Sequence, residues 1–245
     1  MKADPALQRR LLDLAEVDAE LARVTHRRKT LPEIAEIAEA EQLVRAKQDA
    51  LVAVETTLGD LDRDYKRQET EIEQVRARED RDRKLMESGS VGAKQLTDLE
   101  HELATLQRRQ SVLEDDLLEL MERREAVEAD VQHHRVELDK AQQSLTDAAK
   151  RRDEALLDLD STEAKRTADR ERMTKQFPED LLTAYDRQRI QRGIGAALLR
   201  ARRCGACRIE MDRAAVAKVQ AAAADEVVRC EECGAIMVRT GESGL

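Results

Sequence analysis

Residues 96–120 of the chain read LTDLEHELATLQRRQSVLEDDLLEL, and leucine recurs there at alternating intervals of three and four. The alternation extends over residues 93–172 without a proline or a glycine. A seven-residue repeat of this length predicts a left-handed coiled coil against a partner helix. The predicted core positions, mostly apolar, are Leu96, Leu99, Leu103, Leu106, Gln110, Leu113, Leu117, Leu120, Arg124, Val127, Val131, His134, Leu138, Ala141, Leu145, Ala148, Arg152, Ala155 and Leu159.

An earlier segment repeats this spacing more weakly. The sequence SGSVG at residues 88–92 separates the two segments and is the only cluster of turn-forming residues before residue 190. Because the arms 5–87 and 93–172 are nearly equal in length, we expect an antiparallel hairpin within one chain, and a dimer of hairpins stays open. The core positions of the first arm are Ile37, Ala40, Val44, Lys47, Leu51, Val54, Leu58, Leu61, Tyr65, Gln68, Ile72 and Val75.

Shorter elements are expected at both ends of the hairpin. Thr30-Leu31-Pro32-Glu33 resembles a capping box with proline in the first turn, so we predict a break near residue 30. Pro178 precedes a predicted helix over residues 179–192, and a short strand is expected at 196–199. Asp212 can cap a helix over residues 213–223, with paired strands at 227–228 and 236–238.

The four cysteines of the chain form two C-x-x-C pairs, Cys204 with Cys207 and Cys230 with Cys233. Four thiolates complete the tetrahedral coordination of zinc, so the pattern predicts one structural Zn²⁺ held by all four cysteines. A rubredoxin-like iron site shares the two turns, but nearby aromatic residues are lacking. Two redox pairs would need a thioredoxin-like frame, which the pattern lacks. A catalytic zinc keeps a position for water, which four cysteines close.

These patterns together predict a mainly α protein. Residues 1–176 form a long antiparallel coiled-coil hairpin with its turn near 88–92, and residues 177–245 form a small C-terminal zinc ribbon with short β-strands. The composition agrees, because charged residues make up 39% of the chain and aromatic residues 1%. No apolar run suits a signal peptide or a membrane span, so we expect a cytoplasmic protein without a membrane or small-molecule partner.

Seven arginines and no acidic residue lie between residues 187 and 208, although the chain has a net charge of −9. Arginine suits phosphate oxygens, which makes this stretch a candidate nucleic-acid contact. The alternative is a solvated surface, or arginines that balance the zinc-bound thiolates and the acids of the hairpin. The candidates are Arg187, Arg189, Arg192, Arg200, Arg202, Arg203 and Arg208.

The cysteine motifs, with the helix Tyr185-Asp-Arg-Gln-Arg and the Lys94-Gln95-Leu96 region, are similar over the full length to a known family. This is the bacterial C4-type zinc ribbon family with an N-terminal coiled-coil hairpin. The resemblance implies zinc at the four cysteines and a role in nucleic-acid binding or as an adaptor, linked in some members to transcription regulators. It implies no enzymatic activity.

Two functions of different classes follow from the sequence. The first is a non-enzymatic zinc-binding adaptor, in which a coiled-coil rod presents the ribbon to protein partners, with a link to transcription. The second is direct RNA or DNA binding through the basic stretch. An enzyme is not expected, because the sequence offers neither a nucleophile–base pair nor an open metal site.

Overall fold

The computed structural model describes residues 1–245. The five helices and four short strands are, in chain order, α1 (Pro5–Lys29), α2 (Pro32–Glu87), α3 (Ala93–Thr174), α4 (Glu179–Arg192), β1 (Ala196–Arg200), β2 (Arg203–Cys204), α5 (Arg213–Ala221), β3 (Val228–Arg229) and β4 (Ile236–Val238). The chain forms two compact units, residues 35–150 and residues 1–34 with 151–245. The predicted boundary between residues 176 and 177 lies inside the second of these and stays a prediction.

The unit formed by residues 35–150 is an antiparallel helical hairpin, as predicted. Its turn occupies residues 88–92, where Gly89 has a φ of +65° that favours glycine. Ion pairs between α2 and α3 record the direction of the arms: Lys47 bonds Glu137 at 3.3 Å, and Arg76 bonds Glu114 at 2.6 Å. Residue numbers that increase along α2 are therefore paired with residue numbers that decrease along α3, so the two helices run antiparallel.

The heptad assignment is confirmed along both arms. Every predicted core position of α2 and α3 is buried or half-buried except Leu96, which is 37% exposed. Leu96 lies in the first turn of α3, beside the hairpin turn. Some polar core positions have partners across the pair, as when Arg124 bonds Asp62 at 2.5 Å, whereas Nδ1 of His134 is buried without a hydrogen-bond partner.

The predicted break near residue 30 is present, but Thr30 does not cap α2. Its hydroxyl donates to the carbonyl of His26 at 3.0 Å, and its backbone amide bonds the carbonyls of His26 and Arg27. Thr30 therefore ends α1. Pro32 then begins α2, where its missing amide hydrogen costs no helical bond.

In the unit formed by residues 1–34 and 151–245, α1 packs on the C-terminal elements. Leu11 and Leu14 of α1 are fully buried in one cluster that also contains Tyr185 of α4 and Ile236 of β4. A second cluster, which includes Val24 and Leu159, packs α1 against the last part of α3. The first helix of the chain thus helps to build the base of the zinc ribbon.

The four strands form one sheet in the order β2-β1-β4-β3. The strand predicted at 196–199 is β1, and it pairs in parallel with β4, Ala196 opposite Ile236. The strands predicted on either side of the second cysteine pair are β3 and β4, which run antiparallel. Residues 1–3 pair with the segment just before β3, because the amide of Ala3 donates to the carbonyl of Asp225 at 2.7 Å and that of Val227 donates to the carbonyl of Met1 at 3.1 Å.

Candidate metal centre

The two cysteine pairs lie on matching turns of the ribbon. In the first, the amide of Arg208 donates to the carbonyl of Cys204 at 2.8 Å, and in the second Gly234 donates to Cys230 at 2.9 Å. Both donors adopt a positive φ, +62° for Arg208 and +81° for Gly234. Arg208 therefore adopts a backbone conformation that glycine adopts most readily, and this positive φ lets the chain bend at the first cysteine turn.

The four sulfur atoms have the separations that a tetrahedral zinc ion requires. Cys204 Sγ lies 3.8 Å from Cys233 Sγ, and Cys207 Sγ lies 3.8 Å from Cys230 Sγ. All four sulfurs lie within 4.8 Å of one another, and none is in a disulfide. Zinc–sulfur bonds of about 2.3 Å place the corners of a tetrahedron about 3.8 Å apart. The donor set therefore fits one zinc ion and leaves no position for water.

Burial and backbone amides act in opposite directions on the thiols. Burial raises the pKa of Cys233 to about 12, against the opposing effect of the Ala235 amide, and also raises that of Cys204. The pKa of Cys207, which lies closer to solvent, is lowered chiefly by the Ile209 amide. Buried thiols ionise readily only beside a cation, so metal binding at this site releases protons.

Close backbone approach holds the first turn against the sheet. The amide of Gly205 donates to the carbonyl of Leu198 at 2.9 Å, and a Cβ atom at position 205 would lie 2.7 Å from that oxygen. Val219 of α5 and Met237 of β4 are buried against Cys204 and Cys230. Asp212 caps α5 as predicted, because its side chain accepts the amide of Ala215 at 2.7 Å, although α5 ends at Ala221 rather than residue 223.

Helix α4 connects the second cysteine turn to the helical base. Its Gln188 donates to the carbonyl of Cys233, and Tyr185 packs against Gly195 so closely that a Cβ there would lie 2.6 Å from the ring. The Tyr185 hydroxyl donates to the buried carboxylate of Asp18 in α1 at 2.8 Å, and Arg170 of α3 bonds the same carboxylate at 2.8 Å. This network joins three helices beside the ribbon.

Sequence reasoning missed this network and one further contact. The Arg239 guanidinium donates to carbonyls at and beyond the end of α5, including those of Ala222 at 2.7 Å and Ala223 at 2.6 Å. No local pattern reveals partners so distant in the chain. Tyr185 could have been found, because it is one of only three aromatic residues and buried aromatic rings dominate small cores.

The seven candidate arginines do not form one uniform group. Three form ion pairs: Arg189 with Asp186 at 3.2 Å, Arg200 with Glu242 at 3.2 Å and Arg203 with Glu210 at 2.8 Å. Arg202 donates to the carbonyl of Gly244 at 2.9 Å. The side chains of the other three, Arg187, Arg192 and Arg208, are exposed and have no hydrogen bond or ion pair.

None of the helices has an apolar stretch long enough to cross a lipid bilayer.

Comparison with known proteins agrees with these features. Residues 14–193 match the CT398-like coiled coil hairpin domain, and residues 203–237 match the C4-type zinc ribbon domain. The second match, with the sulfur geometry, confirms the prediction of one structural zinc ion.

Relatives extend the match over the whole chain. The Mycobacterium tuberculosis protein Rv2229c is 46% identical over 246 residues and covers 98% of each chain. A solved structure from Mycobacterium smegmatis has 47% identity and a TM-score of 0.86, covering 98% of this chain and 100% of that one. CT398 from Chlamydia trachomatis, at 17% identity, shares the fold with a TM-score of 0.65 over 95% of this chain and 97% of its own. The chain belongs to the family of CT398-like coiled-coil hairpin proteins that carry a C4-type zinc ribbon.

Proposed function

We propose that this protein is a non-enzymatic adaptor, in which the coiled-coil hairpin presents the zinc ribbon to protein partners. The link to transcription regulators that the family resemblance implies is part of the proposal. One observation carries it: α4 bonds the second cysteine turn through Gln188, while Tyr185 joins the same helix to the buried carboxylate of Asp18. A ribbon fixed in this way keeps its surface in a defined orientation on α1 and α4, as an adaptor requires.

The closed donor set supports a structural role for the metal. Zinc that activates water or substrate keeps an open coordination position, whereas the four sulfurs here occupy all four. The metal then stabilises the ribbon, because a small segment with so few aromatic residues buries little apolar area. Zinc binding contributes on the order of 10–16 kcal/mol to such modules.

Crosslinking in cells that express the tagged full-length chain tests the adaptor function. We expect a protein to be captured in stoichiometric amount by the wild type and lost by Cys204→Ser/Cys230→Ser, which removes two ligands of the ribbon. Circular dichroism should show that this variant keeps its helices. Retention of every partner by the double variant would contradict a role for the ribbon.

Direct nucleic-acid binding is the second candidate, favoured by the three arginines without partners. If Arg187, Arg192 and Arg208 contact phosphates, binding should weaken with salt at a log–log slope of about −2 to −3. Their replacement by glutamine should abolish the salt dependence, whereas replacement of the ion-paired Arg200 and Arg203 should change it little. Absence of binding to any RNA or DNA at low salt would remove this candidate.

A further inference from the structure

A groove of about 660 Å³ lies beside the second cysteine turn. One side of the groove is α5, and the other is β3 with the loop that follows Ile209. Ile209, Met211 and Val228 line it with accessible apolar surface, whereas Val219 and Met237, which also border it, are almost fully buried. Such an apolar lining can accept one or two aliphatic side chains of a partner.

Negative charge surrounds this lining. Glu210, Asp212 and Glu231 have partners within the ribbon, Arg203, the amide of Ala215 and Lys218 respectively. The side chains of Glu226 and Glu232 form no hydrogen bond or ion pair, although Glu226 interacts electrostatically with Lys2, and both carboxylates are exposed to a ligand. The charged residues that line the groove are five carboxylates and two cations: Glu210, Asp212, Glu226, Glu231 and Glu232, with Lys218 and Arg229.

The groove borders the free edge of the sheet. Cys230 donates to Ala235 across the β3–β4 ladder, so Arg229, one residue earlier, directs its backbone amide and carbonyl away from β4. Residues 1–3 cover this edge only at residues 225–227, and neither backbone group of Arg229 has a backbone partner there. An extended peptide can therefore add main-chain hydrogen bonds at Arg229, as in β-strand addition.

We infer that this groove binds an extended segment of a partner protein in which every second residue, on the face toward the groove, is in turn aliphatic and either lysine or arginine. The aliphatic side chains enter the apolar lining, and the cationic ones approach Glu226 and Glu232. Charge complementarity selects this occupant over an acidic peptide or a nucleic acid, because carboxylates outnumber cations in the lining and those of Glu226 and Glu232 have no ion-pair partner. The inference rests on the adaptor function proposed above, whose protein partner it describes chemically.

Three fluorescein-labelled twelve-residue peptides test the inference on the zinc-loaded full chain. They repeat Lys-Lys-Leu-Leu, Glu-Glu-Leu-Leu and Lys-Lys-Ser-Ser, so that each face of the extended Lys/Leu peptide carries both residue types, and binding is followed by fluorescence anisotropy. We expect the Lys/Leu peptide to bind most tightly and to protect residues 209–232 from hydrogen exchange. Glu226→Gln/Glu232→Gln should weaken it roughly 2- to 30-fold at low salt, and less at high salt.

Two further variants control for charge and for the groove itself. Glu100→Gln/Glu122→Gln removes two exposed, unpaired carboxylates of α3 and should leave binding unchanged within a factor of two. Ala215→Phe, on the α5 face of the groove, should reduce binding by filling it while zinc content stays at one per chain.

Several results would overturn the inference. The Lys/Leu peptide could fail to bind, or the Glu/Leu peptide could bind equally well. The third such result is an equal loss of peptide affinity in Glu226→Gln/Glu232→Gln and in Glu100→Gln/Glu122→Gln. Competition by a twelve-nucleotide single-stranded DNA for residues 209–232 would assign the groove to nucleic acid instead. One result separates this inference from the adaptor function on which it rests. A crosslinked partner that is lost in Cys204→Ser/Cys230→Ser but kept in Glu226→Gln/Glu232→Gln would support the adaptor function and refute binding in the groove.

Discussion

Replacing Tyr185 with phenylalanine should loosen α4 without changing the shape of the core. The phenol is fully buried and donates to the carboxylate of Asp18 at 2.8 Å. A hydrogen bond to a charged group contributes about 1.5–3 kcal/mol. Because Arg170 still bonds that carboxylate in the variant, we expect the lower part of this range, about 1.5–2 kcal/mol.

Hydrogen exchange of the α4 amides at pH 7 measures this change locally. A loss of about 1.5–2 kcal/mol predicts exchange about 10- to 30-fold faster over residues 179–192. Tyr65→Phe is the matched control, because Tyr65 lies in the other compact unit and should not affect α4. Wild-type exchange rates in Tyr185→Phe would refute the reasoning.

Alkaline titration tests the same bond from the opposite direction. Burial, with the hydrogen bond to Asp18, raises the pKa of Tyr185. Above pH 10 an unfolded tyrosine loses its proton while the folded one keeps it, so the folded state binds more protons and stability falls as pH rises. This contribution is complete below pH 10 and decreases by up to about 1.4 kcal/mol per pH unit above it.

The chain is well suited to this titration because it contains two tyrosines and no tryptophan. Absorbance at 295 nm should show Tyr65 ionising in the folded chain and Tyr185 only when the surrounding core opens. Joint ionisation of both tyrosines near pH 10 in the folded chain would contradict the environment described for Tyr185.

Four further perturbations have defined outcomes. Removal of zinc with a strong chelator should abolish exchange protection over residues 196–238 and leave most helical circular dichroism; protected strands without metal would refute the structural role. Gly195→Ala places a Cβ 2.6 Å from the Tyr185 ring and should lower the free energy of unfolding by about 1–3 kcal/mol, seen as a lower melting temperature. Gly59→Ala, which has open space around it in α2, should be neutral or stabilising. Arg239→Met should lower the free energy of opening of α5, measured by hydrogen exchange, by about 2–3 kcal/mol, because the carbonyls at the end of that helix lose a charged donor. Arg208→Gly should slow zinc loss to a chelator, since glycine adopts the positive φ of the first turn without strain, and faster loss would argue against strain there.

Local patterns were sufficient to predict most helices and the metal ligands. The heptad spacing predicted the core positions of α2 and α3, and the two C-x-x-C pairs predicted a zinc site whose sulfurs lie at tetrahedral separations. Both signals depend on residues close in sequence, where geometry follows directly from spacing. Leu96 was assigned wrongly to the core because the repeat does not record where the paired region ends.

Contacts between distant residues were beyond the sequence patterns. Asp18 and Tyr185 are 167 positions apart, and each reads locally as an ordinary helix residue. Part of the basic stretch is paired for the same reason, because Glu242 and Glu210, the partners of Arg200 and Arg203, lie outside it; nucleic-acid contact by its other arginines stays a prediction. A run of like charges predicts a free basic surface only where no acid folds back onto it, which composition does not reveal.

The packing of α1 against the ribbon has a consequence for biosynthesis. Leu11 and Leu14 are translated about 220 residues before Ile236, which lies in the same cluster. At about 5–20 residues per second, these leucines wait roughly 10–45 s for their final neighbours. Residues 35–150 pair with partners that arrive sooner, so the hairpin can close while α1 is still without part of its core. Premature termination before β4 would therefore leave the leucine face of α1 without part of its core.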